Sequence, residues 1–206
     1  MTSPHLDYYL TPVSPWTYLG AARFRHLVEK HDATVAVRVV DYGTIFPKTG
    51  GLPLPKRAPA RVAYRLADLK RFRDYLGIPL VPEPDHFPST TKLTAHTIVA
   101  AARDLGGRMA LKVAESLLTG LWAENRNMDD RDEVIGVLDR AGIDGTALVR
   151  IAETEAEMLM AQIAADTQTA LEEGVFGAPS YVLNGEVFWG QDRLDLLAWR
   201  LDQHQA

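Results

Sequence analysis

Few residue types in this chain could carry chemistry. The 206 residues include no cysteine, which removes disulfides, thiolate metal sites, a cysteine nucleophile and any thiol relay. The six histidines show no metal-ligand spacing, and neither His-Glu-x-x-His nor Gly-x-x-x-x-Gly-Lys occurs. No metal site is expected. What remains begins with Ser14, directly before Pro15. Serine as N-cap and proline at the first helical position mark a helix start. No histidine adjoins Ser14 to serve as its base, so the residue does not read as a nucleophile. Lys48, in a stretch rich in proline and glycine, is a candidate carboxylate ligand, because long irregular loops tend to be functional. Arg61, Tyr64, Asp68 and Arg71 recur at spacings of three and four, which puts them on one helix face. A cleft wall and a solvated, salt-bridged surface both fit that face. Trp16 and Tyr18 suit either the flank of an aromatic ligand or the core.

The elements around these residues follow from local signals. His5–Val13 reads as a strand, and Trp16, Leu19, Phe24, Leu27 and Val28 recur near helical spacing over 15–31. Thr34–Val40 is a second strand rich in β-branched residues. Strand, helix and strand make a βαβ unit, with parallel pairing and a right-handed crossover. Phe46–Pro59 carries too many prolines and glycines for regular structure. Between Ala60 and Glu173 only helices are expected: Arg61–Leu76 closed by Gly77, Thr94–Leu105, 108–124, Asp130–Ala141, Thr146–Ala152 and Glu153–Glu173. Ser180–Leu183 and Glu186–Trp189 flank Asn184-Gly185, the strongest two-residue hairpin signal, and Asp192–Gln203 is a last helix. The βαβ and ββα units complement each other as one mixed four-stranded sheet with helices on both faces. The expected fold is α/β and thioredoxin-like, with an all-helical domain inserted. Residues 1–50 and 174–206 would form the discontinuous thioredoxin-like domain and 51–173 the helical insertion. Pro179 stands just before a strand, where a missing N–H is tolerated, and the topology favours a cis bond there.

Composition narrows the partners. Apolar residues make up 47% of the chain and charged ones 24%, enough for a real core. Twenty-two basic against 27 acidic residues give a net charge of −5, and no basic run exceeds two, so nucleic-acid binding is not expected. No apolar run approaches the ~20 residues of a bilayer span. Met1–Leu10 lacks the features of a signal peptide, so a cytoplasmic, soluble protein is expected.

Three motifs in order, Val13-Ser14-Pro15-Trp16-Thr17-Tyr18-Leu19, Gly174-Val175-Phe176-Gly177-Ala178-Pro179 and Phe188-Trp189-Gly190-Gln191-Asp192-Arg193-Leu194, carry a family likeness. They resemble the 2-hydroxychromene-2-carboxylate isomerases and their relatives, the kappa-class glutathione transferases. The likeness spans nearly the whole chain. It departs at Gly50-Gly51, where many relatives have Gly-Asn, and at Thr90, where relatives often place an Asn.

The resemblance implies glutathione as cofactor, a small aromatic substrate and a homodimer. Ser14 would stabilise the glutathione thiolate. Ala178 and Pro179 would hold its cysteinyl part by strand-like main-chain bonds. Gln191, Asp192 and Arg193 would meet the γ-glutamyl end, Asp192 gripping the amino group, while Lys48 would bind the glycyl or a substrate carboxylate. Trp16, Arg61 and Tyr64 would contact the substrate. The energetics are adequate. Lowering a thiol from a pKa of about 8.5 by ~2 units requires about 2.7 kcal/mol. A hydroxyl donating to a charged sulfur supplies roughly 1.5–3 kcal/mol, and a helix N-terminus adds ~0.3–1 kcal/mol. The implied reaction is reversible thiolate addition to 2-hydroxychromene-2-carboxylate or a related intermediate of aromatic degradation, bond rotation, and expulsion to give trans-o-hydroxybenzylidenepyruvate. A kappa-like glutathione transferase is the alternative, followed by a non-catalytic thioredoxin-like binding module. An N-cap role alone also accounts for Ser14 and for Asp192.

Overall fold

The structure, a computed structural model, describes residues 3–204. Strand β1 (His5–Leu10) leads into helix α1 (Pro15–Lys30), and β2 (Thr34–Val39) follows, parallel to β1. Helix α2 (Tyr42–Thr49) and a 3-10 turn at Leu54–Lys56 precede α3 (Pro59–Leu76). Then come α4 (Lys92–Asp104), α5 (Gly107–Trp122), α6 (Arg131–Arg140), α7 (Gly145–Thr154) and α8 (Ala156–Glu172). The chain closes with β3 (Ser180–Leu183), β4 (Glu186–Trp189), a 3-10 turn at Gln191–Arg193 and α9 (Leu194–His204). The sheet order is β2-β1-β3-β4, with β3 antiparallel to both neighbours. This is the thioredoxin-like mixed sheet expected from the βαβ and ββα halves. No helix among the described residues is long and apolar enough to cross a membrane.

Alternation along β1 separates two cores. Leu6, Tyr8 and Leu10 face one that includes Phe24 and Leu27 of α1, while Tyr9 faces another with Ile45 of α2 and Ala170 of α8. That is the period of two expected of a strand covered on both sides. Across the β1–β3 ladder Tyr8 stacks on Tyr181 with centroids 5.2 Å apart, and Phe24 leans on both rings. Val35 and Val37 of β2 share the first core with Ile98, Leu111 and Ala114. Gly107 permits this approach: a Cβ there would collide with the Val35 carbonyl oxygen. The edge strand is tied down by charge. Arg38 donates to Asp7 on β1 at 2.7 Å and to Asp166 on α8 at 2.6 Å. Tyr9 Oη donates to Glu173 at 2.9 Å, fixing where the chain leaves α8 for β3.

The structure corrects some local expectations. Phe46–Pro59 is not wholly irregular, since α2 runs through Pro47 to Thr49. Asp41 caps it, accepting from Gly43 N–H at 2.8 Å and from the Thr44 hydroxyl at 2.7 Å, and Gly50 ends it at φ 78°. Cap and burial of Ile45 outweigh the one hydrogen bond that Pro47 removes. Lys48 therefore lies on the last turn of a short helix, not in a loop. Glu153–Glu173 is divided, because α7 continues to Thr154 and the chain breaks at Glu155 before α8. The last helix starts later than expected, its first residues forming the 3-10 turn.

Candidate active site

Three chain segments leave the sheet at one end. β1 stops at Leu10, and Tyr9 pairs with Ser180, the first residue of β3, which in turn pairs with Trp189, the last of β4. The loop carrying Ser14, the Ala178-Pro179 entry to β3 and the Gly190–Arg193 exit from β4 consequently share that end. Strand pairing alone brings the three motifs together. The Ala178–Pro179 bond is cis, as the topology favours. Gly190 N–H donates to the Pro179 carbonyl at 2.9 Å, tying two of the segments directly.

Ser14 is nearly buried and caps α1, its Oγ accepting from Thr17 N–H at 3.2 Å. One lone pair is thus committed to the helix. The hydroxyl proton remains to be donated, at the positive end of a 16-residue helix. Ala178 makes no main-chain hydrogen bond among the described residues, so its backbone can pair with an extended ligand.

The next wall piece is Gln191, 1% exposed. Its carbonyl and its Oε1 both accept from Arg23 of α1, at 3.2 and 3.0 Å. Its Nε2 is buried and has no partner in the structure. Asp192 and Arg193 pair with each other at 2.8 Å. Gly190 has φ 103°, and a Cβ there would strike the Asp192 carboxylate, so only glycine suits this position.

Beside this sheet end lies a cavity of about 470 Å³, within the usual range for small-molecule sites. Trp16, Ala178, Trp189 and the Gln191–Arg193 turn form one wall. Helix α3 and the residues just before it form the other, with Arg57, Arg61, Tyr64, Arg65, Asp68 and Phe72. Trp16 meets Phe72 edge-on at 5.9 Å, which links the walls. Burial and the charge of Arg61 push the Arg57 guanidinium below its usual pKa. Burial and the charge of Arg57 do the same to Arg65, with Glu83 opposing.

Of the residues singled out in the sequence, Trp16, Arg61, Tyr64, Asp68, Ala178, Gln191, Asp192 and Arg193 line this cavity. Neither Ser14 nor Pro179 lines it: Pro179 adjoins Ala178 in the chain, and Ser14 lies two residues before Trp16. Lys48 is exposed on α2 and outside the lining. Arg71 stands behind the wall, pairing with Asp68 at 3.3 Å and lying 5.5 Å from the centre of the Tyr64 ring. Tyr18 belongs to the core. Its hydroxyl donates to the Pro79 carbonyl at 2.5 Å, and burial pushes it up to about 12. Thr90 does not line the cavity either: its N–H and hydroxyl both donate to Asp129. Gly51 is required by the Phe46 ring, which a Cβ would penetrate. Sequence reasoning missed Arg65, although it lies four residues from Arg61 on α3, and Arg57, which precedes the helix. It also missed Arg23, which no local signal marks.

Comparison with known proteins agrees with this architecture. A model of the DSBA-like thioredoxin domain matches residues 5–202. The chain is 26% identical over 196 residues to a 2-hydroxychromene-2-carboxylate isomerase of Sphingobium xenophagum, covering 93% of this chain and 95% of the relative. A 2-hydroxychromene-2-carboxylate isomerase of Pseudomonas putida is 24% identical over 193 residues, at 93% and 91% coverage. Among solved structures, 2-hydroxychromene-2-carboxylate isomerase superposes with a TM-score of 0.79 at 24% identity, covering 97% and 95% of the two chains. The cytosolic disulfide reductase DsbM of Pseudomonas aeruginosa, in a structure with GSH, gives 0.66 at 18% identity, covering 98% of each.

Proposed function

The chain belongs to the DSBA-like thioredoxin domain family, and from that premise we propose that it is a glutathione-dependent isomerase of 2-hydroxychromene-2-carboxylate or a closely related aromatic acid. The observation that carries the reading is Ser14: a nearly buried hydroxyl with a proton to give, at the start of α1, in a chain that has no cysteine. Relatives named as such isomerases over nearly the full length support the substrate class. The residues present fit glutathione. The unpartnered Nε2 of Gln191 and the free main chain of Ala178 are what a peptide-like ligand requires.

Glutathione, when bound, supplies a thiolate that adds reversibly to a conjugated double bond and leaves once the bond has turned, without net redox change. Ser14 donates its hydroxyl proton to the anionic sulfur, and the α1 N-terminus favours the same charge. Ala178 pairs with the cysteinyl main chain. Gln191 and Asp192 orient the γ-glutamyl end, Gln191 being held rigid by Arg23. Trp16 and Tyr64 flank the aromatic ring, and Arg61 attracts its carboxylate.

Titration calorimetry with glutathione near neutral pH tests this. Saturable binding, one per chain, with proton release above the buffer background is expected. No binding at millimolar glutathione overturns it. With substrate present, recovery of free glutathione identifies an isomerase, and a stable conjugate identifies a transferase.

A further inference from the structure

The arginines of the α3 wall are unlike the rest. Every other arginine among the described residues except Arg150 forms an ion pair with a carboxylate. Arg57, Arg61 and Arg65 form none, although all three line one cavity. The acids of that cavity are already engaged, Asp192 with Arg193 and Asp68 with Arg71. Arg57 donates its Nε to the Leu52 carbonyl at 2.8 Å, and the Arg65 guanidinium lies 5.9 Å from the centre of the Phe87 ring. Both are positioned by neutral groups, and although the charge of Glu83 acts on Arg65, no carboxylate pairs with either.

Two of the three are also unfavourable for the helix that carries them. Arg61 and Arg65, like charges four residues apart on α3, repel each other. Helix α3 has no acid in its first turn, and its N-cap, Ala58, offers no side-chain acceptor. Arg61 stands in that turn, beside the positive helix end. An anion in the cavity removes all three conflicts together, and guanidinium forks suit carboxylates in particular.

We infer that Arg57, Arg61 and Arg65 form an oxyanion subsite that, among the related aromatic acids of the proposed function, selects a second substrate carrying two anionic groups over one carrying a single carboxylate, as 2-hydroxychromene-2-carboxylate itself does. The inference rests on the glutathione reading only in its count. We assign Arg57, outside α3 and bonded to the Leu52 carbonyl, to the glycyl carboxylate of glutathione, which leaves Arg61 and Arg65 for the substrate. Trp16 and Phe72, meeting edge-on, and Tyr64 supply the aromatic surface beside them.

The test is binding of benzene-1,2-dicarboxylate and of benzoate, which share a ring and differ by one charge. Each is titrated into the protein with and without saturating glutathione. The dicarboxylate should bind at least tenfold more tightly than benzoate. Arg61→Gln or Arg65→Gln should shrink that preference to less than threefold while changing the glutathione Kd less than twofold. Arg150→Gln, an exposed arginine outside the cavity, should leave the preference intact. Equal binding of the two acids, no binding of either, or a preference that survives both cavity variants overturns the subsite. If the preference persists in protein that does not bind glutathione, the glutathione reading fails and the subsite stands. If glutathione binds and the preference is absent, the subsite alone fails.

Discussion

The cavity has one wall cut from the end of the sheet and one made by α3, and very different amounts of buried structure hold them. On the sheet side, Gln191 is buried and bonded twice by Arg23, Gly190 N–H is bonded to the Pro179 carbonyl, and Ser14 caps α1. On the helix side, the 18 residues of α3 bury only Leu69 completely, while Val62, Tyr64 and Tyr75 stay exposed. A wall set by strand pairing and buried hydrogen bonds can hold a small acidic group to fractions of an ångström. A wall seated on one fully buried leucine, with Phe72 and Leu76 half-buried beside it, can change its exposed surface without disturbing the core. On the proposed reading, the difference gives activation of the glutathione thiol to the first wall and the choice of substrate to the second.

Leu69→Ala is expected to have the largest effect. It should cost about 2–5 kcal/mol, as for other fully buried leucines, and should loosen α3 before the rest of the molecule. Urea unfolding gives the total, and hydrogen exchange should show faster exchange in α3 than in α1. Equal loosening of both helices would break the contrast between the walls.

Ser14→Ala comes next. Losing a hydrogen bond to a charged sulfur, worth about 1.5–3 kcal/mol, should lower kcat/KM roughly 10- to 150-fold. The same change removes the cap on Thr17 N–H and should cost ~1 kcal/mol of stability. A loss of stability with activity retained would leave Ser14 as a cap only.

Gly190→Ala sharpens the comparison from the sheet side. The backbone there, at φ 103° and ψ 148°, is nearly closed to other residues, and the new methyl would meet the Asp192 carboxylate. The expected cost is about 1–3 kcal/mol, with a weaker glutathione Kd because Gln191 and Asp192 must move. An unchanged Kd would show that this turn does not position the ligand.

The two walls also differed in how far the sequence revealed them. Sheet-side residues announce themselves through local chemistry: Ser14-Pro15 is a helix start wherever it occurs, and Asn184-Gly185 is a hairpin turn, with both residues at positive φ. Those punctuation marks fix strand order, and strand order delivers Ser14, Ala178 and Gln191 to one end. Arg23 stayed hidden because its role depends on a residue 168 positions away. Helix α2 was obscured by Pro47, whose penalty is local while the compensating contact of Ile45 is not. On the α3 side, spacing showed that Arg61, Tyr64 and Asp68 share a face, and that face does meet the cavity. Spacing could not show that Arg57, ahead of Pro59 and outside the helix, completes the row. Lys48 illustrates the opposite error, since an isolated charge in a proline-rich stretch carries no information about where the chain turns.

Tyr75→Ser should have the smallest effect, and it tests the same contrast from the outer side of α3. The ring is 82% exposed, so removing it forfeits almost no buried area, and stability should change by less than about 0.5 kcal/mol. Glutathione affinity should not change, because Tyr75 lies outside the cavity. A destabilisation above about 1.5 kcal/mol, or one that grows with protein concentration, would mean that a second chain covers this face in solution. In that event α3 would owe its position to a partner as well as to Leu69. The substrate wall would then be set between chains, and the freedom ascribed to it here would belong to the isolated chain alone.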